Sequence, residues 1–92
     1  MFYANEKAKV INTKAVISND ILLCLSSTVR GIIRKIPEEM LNSVEEIRLR
    51  LNKPLMIYDD KKGWFVSLSG ALTDYMEKAY IVREEDIRQT ME

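Results

Sequence analysis

The chain has 92 residues, 47% of them apolar and 30% charged, with 14 basic groups against 14 acidic ones and no histidine. That length allows one small domain, and the composition excludes disorder and low complexity. Zero net charge argues against a dedicated nucleic-acid binder, and the lack of histidine closes imidazole catalysis and Cys/His zinc sites.

A lone cysteine, Cys24, excludes an intramolecular disulfide and leaves the cytoplasm as the expected compartment. No apolar run is long enough for a membrane span, and residues 1–17 lack the apolar block of a signal peptide. The charge is unevenly spread. Lys7, Lys9, Lys14, Arg30, Arg34 and Lys35 face only Glu6 and Asp20 within residues 1–36, and the remainder carries a matching acidic excess. Two readings are open: complementarity within one molecule, or head-to-tail contact between copies in a repeating assembly.

Residues 1–17 show no clear period and read as an N-terminal extension, free to be flexible, with Lys9-Val10-Ile11 able to form a short edge strand. Ser18-Asn19 offers an N-cap, since either side-chain oxygen can accept from the free amides of a first turn. From Asp20, apolar residues at Ile21, Leu25, Val29, Ile32 and Ile36 recur at helical spacing and predict one helix. Pro37 ends it and opens a short second helix over Glu38 to Ser43. At Glu45 the period drops to two. Ile47, Leu49 and Leu51 alternate with Arg48, Arg50 and Asn52, a half-buried strand with an arginine face.

Asn52-Lys53-Pro54 supplies a bend, and Leu55 to Tyr58 reads as a strand covered on both sides. Asp59 to Gly63 predicts a hairpin loop with Gly63 in the left-handed conformation, followed by a strand through Trp64, Val66 and Leu68. Gly70 to Lys78 reads as a loop and Ala79 to Val82 as a short strand. A helix starts at Arg83 with Glu84, Glu85 and Asp86 in its first turn and shows no stop signal before Glu92. The expected fold is therefore α+β: N-terminal helices on a three- to four-stranded, mostly antiparallel sheet, ending in a C-terminal helix. Residues 18–92 form the single domain, and the open-ended helix implies that it is the N-terminal part of a longer protein.

Catalytic constellations are scarce. The pairs Glu38-Glu39, Glu45-Glu46, Asp59-Asp60 and Glu84-Glu85 are adjacent in sequence and so do not face one another; they read as solvated charges and turn chemistry. Cys24, with no base to activate it, reads as a buried, inert thiol. Three glycines cannot build a phosphate-binding loop, so no nucleotide, metal or other cofactor is expected in this segment. Arg48 and Arg50, two residues apart on one strand face, make a fork suited to carboxylate or phosphate, although solvent-facing strand residues need no special role. Trp64 or Phe65 beside those arginines can stack single-stranded bases; the plainer reading puts Trp64 in the core and the arginines in cross-strand ion pairs.

The string Glu45-Glu46-Ile47-Arg48-Leu49-Arg50-Leu51-Asn52-Lys53-Pro54-Leu55 resembles a signature of the stage III sporulation protein AA family. The surrounding order agrees: a leucine-rich helix, Ile36-Pro37-Glu38-Glu39, a hairpin, then Tyr80-Ile81-Val82 and Glu85-Asp86-Ile87. The likeness covers roughly residues 20–92, and the order of elements is similar to the N-terminal domains of type II secretion and type IV pilus motor ATPases. It implies a non-catalytic docking and regulatory domain of a ring-forming, hexameric AAA+ ATPase, peripheral to the membrane on the mother-cell cytoplasmic side of the channel to the forespore. The implied partners are its own ATPase core, neighbouring subunits and sporulation channel proteins, with no nucleic acid. ATP and magnesium are implied for the core, whose Walker motifs this segment lacks. By position Arg48, Arg50 and Lys53 are the candidates for an intersubunit or nucleotide-facing contact. The alternative is a free-standing, ring-building interaction module with no ATPase domain in the same chain.

Overall fold

A computed structural model describes residues 2–4, 7–13 and 19–90. Its sheet runs in chain order, β1 (Phe2–Ala4), β2 (Ala8–Asn12), β3 (Glu46–Arg50), β4 (Met56–Tyr58), β5 (Gly63–Val66) and β6 (Leu72–Thr73), and each neighbouring pair is antiparallel. The helices are α1 (Asn19–Cys24), α2 (Ser27–Arg34), α3 (Glu38–Leu41) and α4 (Glu84–Gln89), with a 3-10 turn at Met76–Lys78. The class is α+β, with a wider sheet than the sequence suggests.

The extra width comes chiefly from the N-terminus. Val10 and Ile11 alternate between the two faces, and β2 pairs along its length with β3, Ile11 opposite Ile47 and Val10 opposite Arg48. The segment expected to lie outside the domain thus supplies an interior strand, not an edge, flanked by β1 and β3. Five residues are too few for alternation to stand out against scattered lysines. One of those lysines, Lys9, points to the core side, where its ammonium donates to the Thr90 carbonyl at the end of α4. Ser18 and residues 14–17 lie outside the described residues.

Helices and sheet meet over one apolar layer. Ile11, Ile47, Leu49, Ile57 and Val66 project from one face of the sheet onto Leu22, Leu25, Val29, Ile32, Ile33 and Ile36 from α1, α2 and the turn after them, and onto Ile87 from α4. Each such side chain contributes about 1.5–3 kcal/mol by leaving water. The predicted stripe is therefore buried, but not on one helix. The chain breaks at Leu25-Ser26, where the Ser26 hydroxyl caps α2 by accepting from the Val29 amide at 3.2 Å. The Ser26 amide, lost to the helical ladder, donates instead to Thr90 Oγ1 at 2.9 Å. A helical period continues across such a break because the two helices present the same face to the sheet. Cys24, at the end of α1, is half-exposed rather than buried, and its thiol donates to the Asp20 carbonyl at 3.3 Å.

The break is organised by Asp86. Its carboxyl is 1% exposed and accepts from Ser26 Oγ at 2.8 Å, from the Tyr80 hydroxyl at 2.5 Å and from the Arg83 amide at 3.0 Å. The acid read as a dipole charge in a first turn is a buried hub linking α4, the α1–α2 break and the segment before α4. The last helix also stops earlier than its pattern indicates. It ends at Gln89, and Thr90 is extended and fully buried, its hydroxyl held by Ser26 and its carbonyl by Lys9. Arg88 lies in the last turn, and partners from elsewhere in the fold replace the C-terminal glycine that the local sequence lacks.

Three local readings are revised. Gly63 does not have positive φ; it opens β5 opposite Tyr58, and a Cβ there would lie 2.6 Å from the Tyr58 ring. The loop is shaped instead by Asp59, whose Oδ1 accepts from the amides of Lys61 and Lys62, each at 2.8 Å. Those two amides, with the indole of Trp64, hold the Asp59 carboxyl below its ordinary range. The left-handed glycine is Gly70, at φ +84°, where the loop seats on the end of α2 against Lys35. Ala79 to Val82 does not extend into a strand. Pairing is limited to a bridge between Pro54 and Ile81, a position where the ladder asks no amide of residue 54, and flanking bonds stitch Tyr80 and Val82 to Leu55, Val66, Asn52 and Lys53.

Asp86→Ala strands one buried donor, Ser26, and two partly buried ones, Tyr80 and the Arg83 amide, and is expected to lower the unfolding free energy by on the order of 3 kcal/mol, measured by urea denaturation. A loss under about 1 kcal/mol would show that the hub is dispensable. Burial and the bond to Asp86 push the Tyr80 hydroxyl well above its ordinary value of 10.0. The folded state thus prefers the protonated phenol, so this stability is whole below the unfolded pKa and is lost as pH rises beyond it. Against Tyr80→Phe, the wild-type chain is expected to lose stability more steeply above about pH 10, the unfolded phenol value.

Candidate docking surface

Alternation along β3 decides where the arginines go. Ile47 and Leu49 enter the core, so Glu46, Arg48 and Arg50 project from the opposite face of the sheet. The antiparallel register adds neighbours to that face. Arg48 lies opposite Val10 on β2 and Met56 on β4, Glu46 lies opposite Tyr58, and Met56 lies opposite Phe65 on β5. Core packing by the helices is confined to the other side, so among the described residues this face carries side chains but no helical cover.

The side chains on it are mutually ordered. Arg48 is gripped by Glu46 on its own strand, Nε at 2.9 Å and Nη2 at 2.7 Å from the same oxygen. Its guanidinium also lies 4.5 Å from the centre of the Tyr58 ring and donates to the Tyr58 hydroxyl at 3.2 Å. Tyr58 in turn reaches Met56 Sδ at 3.6 Å. The ion pair runs along one strand and not across two, because residues two apart share a face and Glu46 stands two before Arg48.

Arg50 is placed differently. Among the described residues its Nη2 has the Met56 sulfur at 3.7 Å, a weak acceptor, and its Nε is buried with no acceptor. One arginine of the fork is therefore neutralised within the fold, and the other keeps a partly desolvated charge without an anion.

Lys53 is separate. It sits in the turn after β3, reached through Asn52 at φ 63°, with an exposed side chain and its carbonyl bonded to the Val82 amide. None of the contacts that join Arg48, Tyr58, Met56 and Arg50 includes it. Trp64 is on the core side, opposite Ile57 and against the buried cluster, with its indole donating to Asp59 at 3.1 Å. It cannot form one stacking platform with Arg48 and Arg50, which leave by the other face; Phe65 shares theirs. Met56, Tyr58 and Phe65 are the members of this surface that sequence reasoning missed. Period-two alternation on each strand carries the signal, but only the hairpin register says which alternate set joins the arginines.

Elsewhere, a groove of about 150 Å³ lies between α3 and the β4–β5 hairpin, lined by Met40, Val44, Ile57, Trp64 and Leu72 with Glu39 and Asp59 among its other walls. That is small beside the roughly 300–1,000 Å³ of sites that enclose organic ligands. Among the described residues no cluster of three His, Cys, Asp or Glu side chains could hold a metal ion, and no helix is long and apolar enough to cross a membrane. Comparison with protein-family models, with curated proteins and with solved structures finds no match to this chain.

The two arginines are expected to respond oppositely to neutral replacement. Arg50→Met removes a desolvated, unpaired donor and is expected to raise unfolding free energy by about 0.5–1 kcal/mol. Arg48→Met breaks a half-exposed pair and should cost about 0–1 kcal/mol. Paired urea titrations check this, and destabilisation by Arg50→Met would mean that Arg50 is satisfied within the fold.

Proposed function

We propose that this chain is the non-catalytic N-terminal docking and regulatory domain of a sporulation secretion-type ATPase that powers the channel between mother cell and forespore. The reading rests on the family resemblance of Glu45 to Leu55 and the ordered frame around it. One structural observation supports the docking role: the strand within that signature turns Ile47 and Leu49 into the core and leaves Arg48 and Arg50 on a sheet face without helical cover. A domain whose chemistry lies in docking needs such a face and needs no catalytic cluster. ATP and magnesium belong, on this reading, to a core domain that follows in the same polypeptide. The domain would act on the cytoplasmic, mother-cell side, peripheral to the membrane complex, and pack on its own core and on neighbouring subunits of a hexameric ring.

Two measurements bear on it. Isothermal calorimetry of the 92-residue chain with Mg-ATP is expected to give no binding heat, and micromolar affinity would overturn the placement of the nucleotide site elsewhere. The native gene read beyond codon 92 should encode G-x-x-x-x-G-K-[ST] in the codons that follow. Its absence, with concentration-dependent assembly of the 92 residues in light scattering, would favour the free-standing ring-building module.

A further inference from the structure

We infer that the open face of the sheet, centred on Arg50, Met56, Tyr58 and Phe65, binds a segment of a partner polypeptide in which carboxylate side chains alternate with apolar ones. The inference rests on the docking reading for the partner being a polypeptide; the face and its charge preference come from geometry. The helices and their apolar side chains lie on the other side of the sheet, so this face is where a further layer can be added. Its half-buried surface combines methionine, two aromatic rings and arginine, the residue types enriched where protein interfaces concentrate their binding energy.

Charge selects the occupant. Glu46 balances Arg48, so among the described residues of β3, β4 and β5 on this face the charge left over is that of Arg50. The Arg50 Nη2 rests on a sulfur, a weak acceptor, and a carboxylate that approaches from the open side supplies the guanidinium with the anion it lacks among the described residues. Face-to-face pairing of two copies would set Arg50 near its own counterpart, and like charges in a water-poor contact are unfavourable. An apolar segment without acids would leave Arg50 sealed and unpaired. The occupant that fits both the Met56–Tyr58–Phe65 surface and the lone guanidinium is acidic at alternate positions and apolar between them.

Nuclear magnetic resonance on the 92-residue chain tests this directly. Methionine methyl, arginine Nε–Hε and aromatic signals are followed while an acetylated, amidated probe peptide, Glu-Leu-Glu-Ile-Glu, is added to millimolar concentration. Shifts are expected at Met56, Arg50, Tyr58 and Phe65, and Arg50→Gln should weaken the response about tenfold, which corresponds to about 1.4 kcal/mol. Lys61→Gln, in the exposed loop after β4, removes the same charge and should leave it unchanged. An equal response to the peptide with lysine in place of glutamate, shifts on the helical side, or an unaltered response in Arg50→Gln would each overturn the inference. Inorganic phosphate moving the same signals at lower concentration would overturn it too, in favour of a phosphorylated or nucleotide ligand. A silent titration alongside a silent ATP calorimetry would leave the docking domain standing with its contact elsewhere, whereas ATP binding with a positive titration would remove the ATPase-domain reading and keep this face.

Discussion

The structure depends on one buried carboxyl group. Asp86 accepts hydrogen bonds from a serine sixty residues earlier, from a tyrosine before its own helix and from the amide at that helix's start. A polar group taken from water is costly unless its bonds are remade, so these partners must be assembled together or not at all. That requirement sets where the first helix breaks, how the last one enters and where Thr90 must lie to serve Ser26. Lys9 extends the constraint to the sheet by capping Thr90 from β2. Three stretches far apart in sequence are thereby held in one arrangement by direction-dependent contacts, to which the surrounding isoleucines and valines add area but little orientation.

With helices drawn to one side in this way, the other side of the sheet is left to its own side chains. Cross-strand pairing orders them: Arg48 is held by Glu46 and Tyr58, and Tyr58 by Met56. A surface arranged before anything arrives loses less side-chain freedom on contact, which favours recognition. Arg50 stands apart from Arg48 on this face because its buried Nε finds no acceptor among the described residues. Stability alone favours an apolar residue there, and natural chains accept such a local cost chiefly where function needs it. The proposed docking role and the unpaired guanidinium meet in the same residue.

Much of the sheet was legible from the sequence because its signal is local. The alternation of Ile47 and Leu49 with Arg48 and Arg50 requires only that successive strand residues point to opposite faces, and β3 follows it residue by residue. Asp59-Asp60 read as turn chemistry because an aspartate carboxyl reaches amides two and three positions on, and Asp59 does so. The helical stripe from Ile21 to Ile36 was legible as a buried face. The break inside it was not, since Ser26 is an unremarkable helix residue until Asp86 and Thr90 arrive beside it. Strand β2 was legible only as a short edge strand for a related reason: a short strand is stabilised by the neighbour it pairs with, and β3 lies more than thirty residues away.

By itself the sequence determined the α+β class, the strand with its arginine face and the turn at Asp59, all consequences of residue type and short-range period. Only the tertiary structure decided that residues 8–12 lie inside the sheet, that Asp86 is a hub rather than a surface charge, that Trp64 and the arginines part to opposite faces, and that the buried Arg50 Nε has no acceptor among the described residues. The physical reason is common to all four. Burial and hydrogen-bond satisfaction belong to pairs of groups, and when the partners are distant in the chain no local pattern records that they will meet.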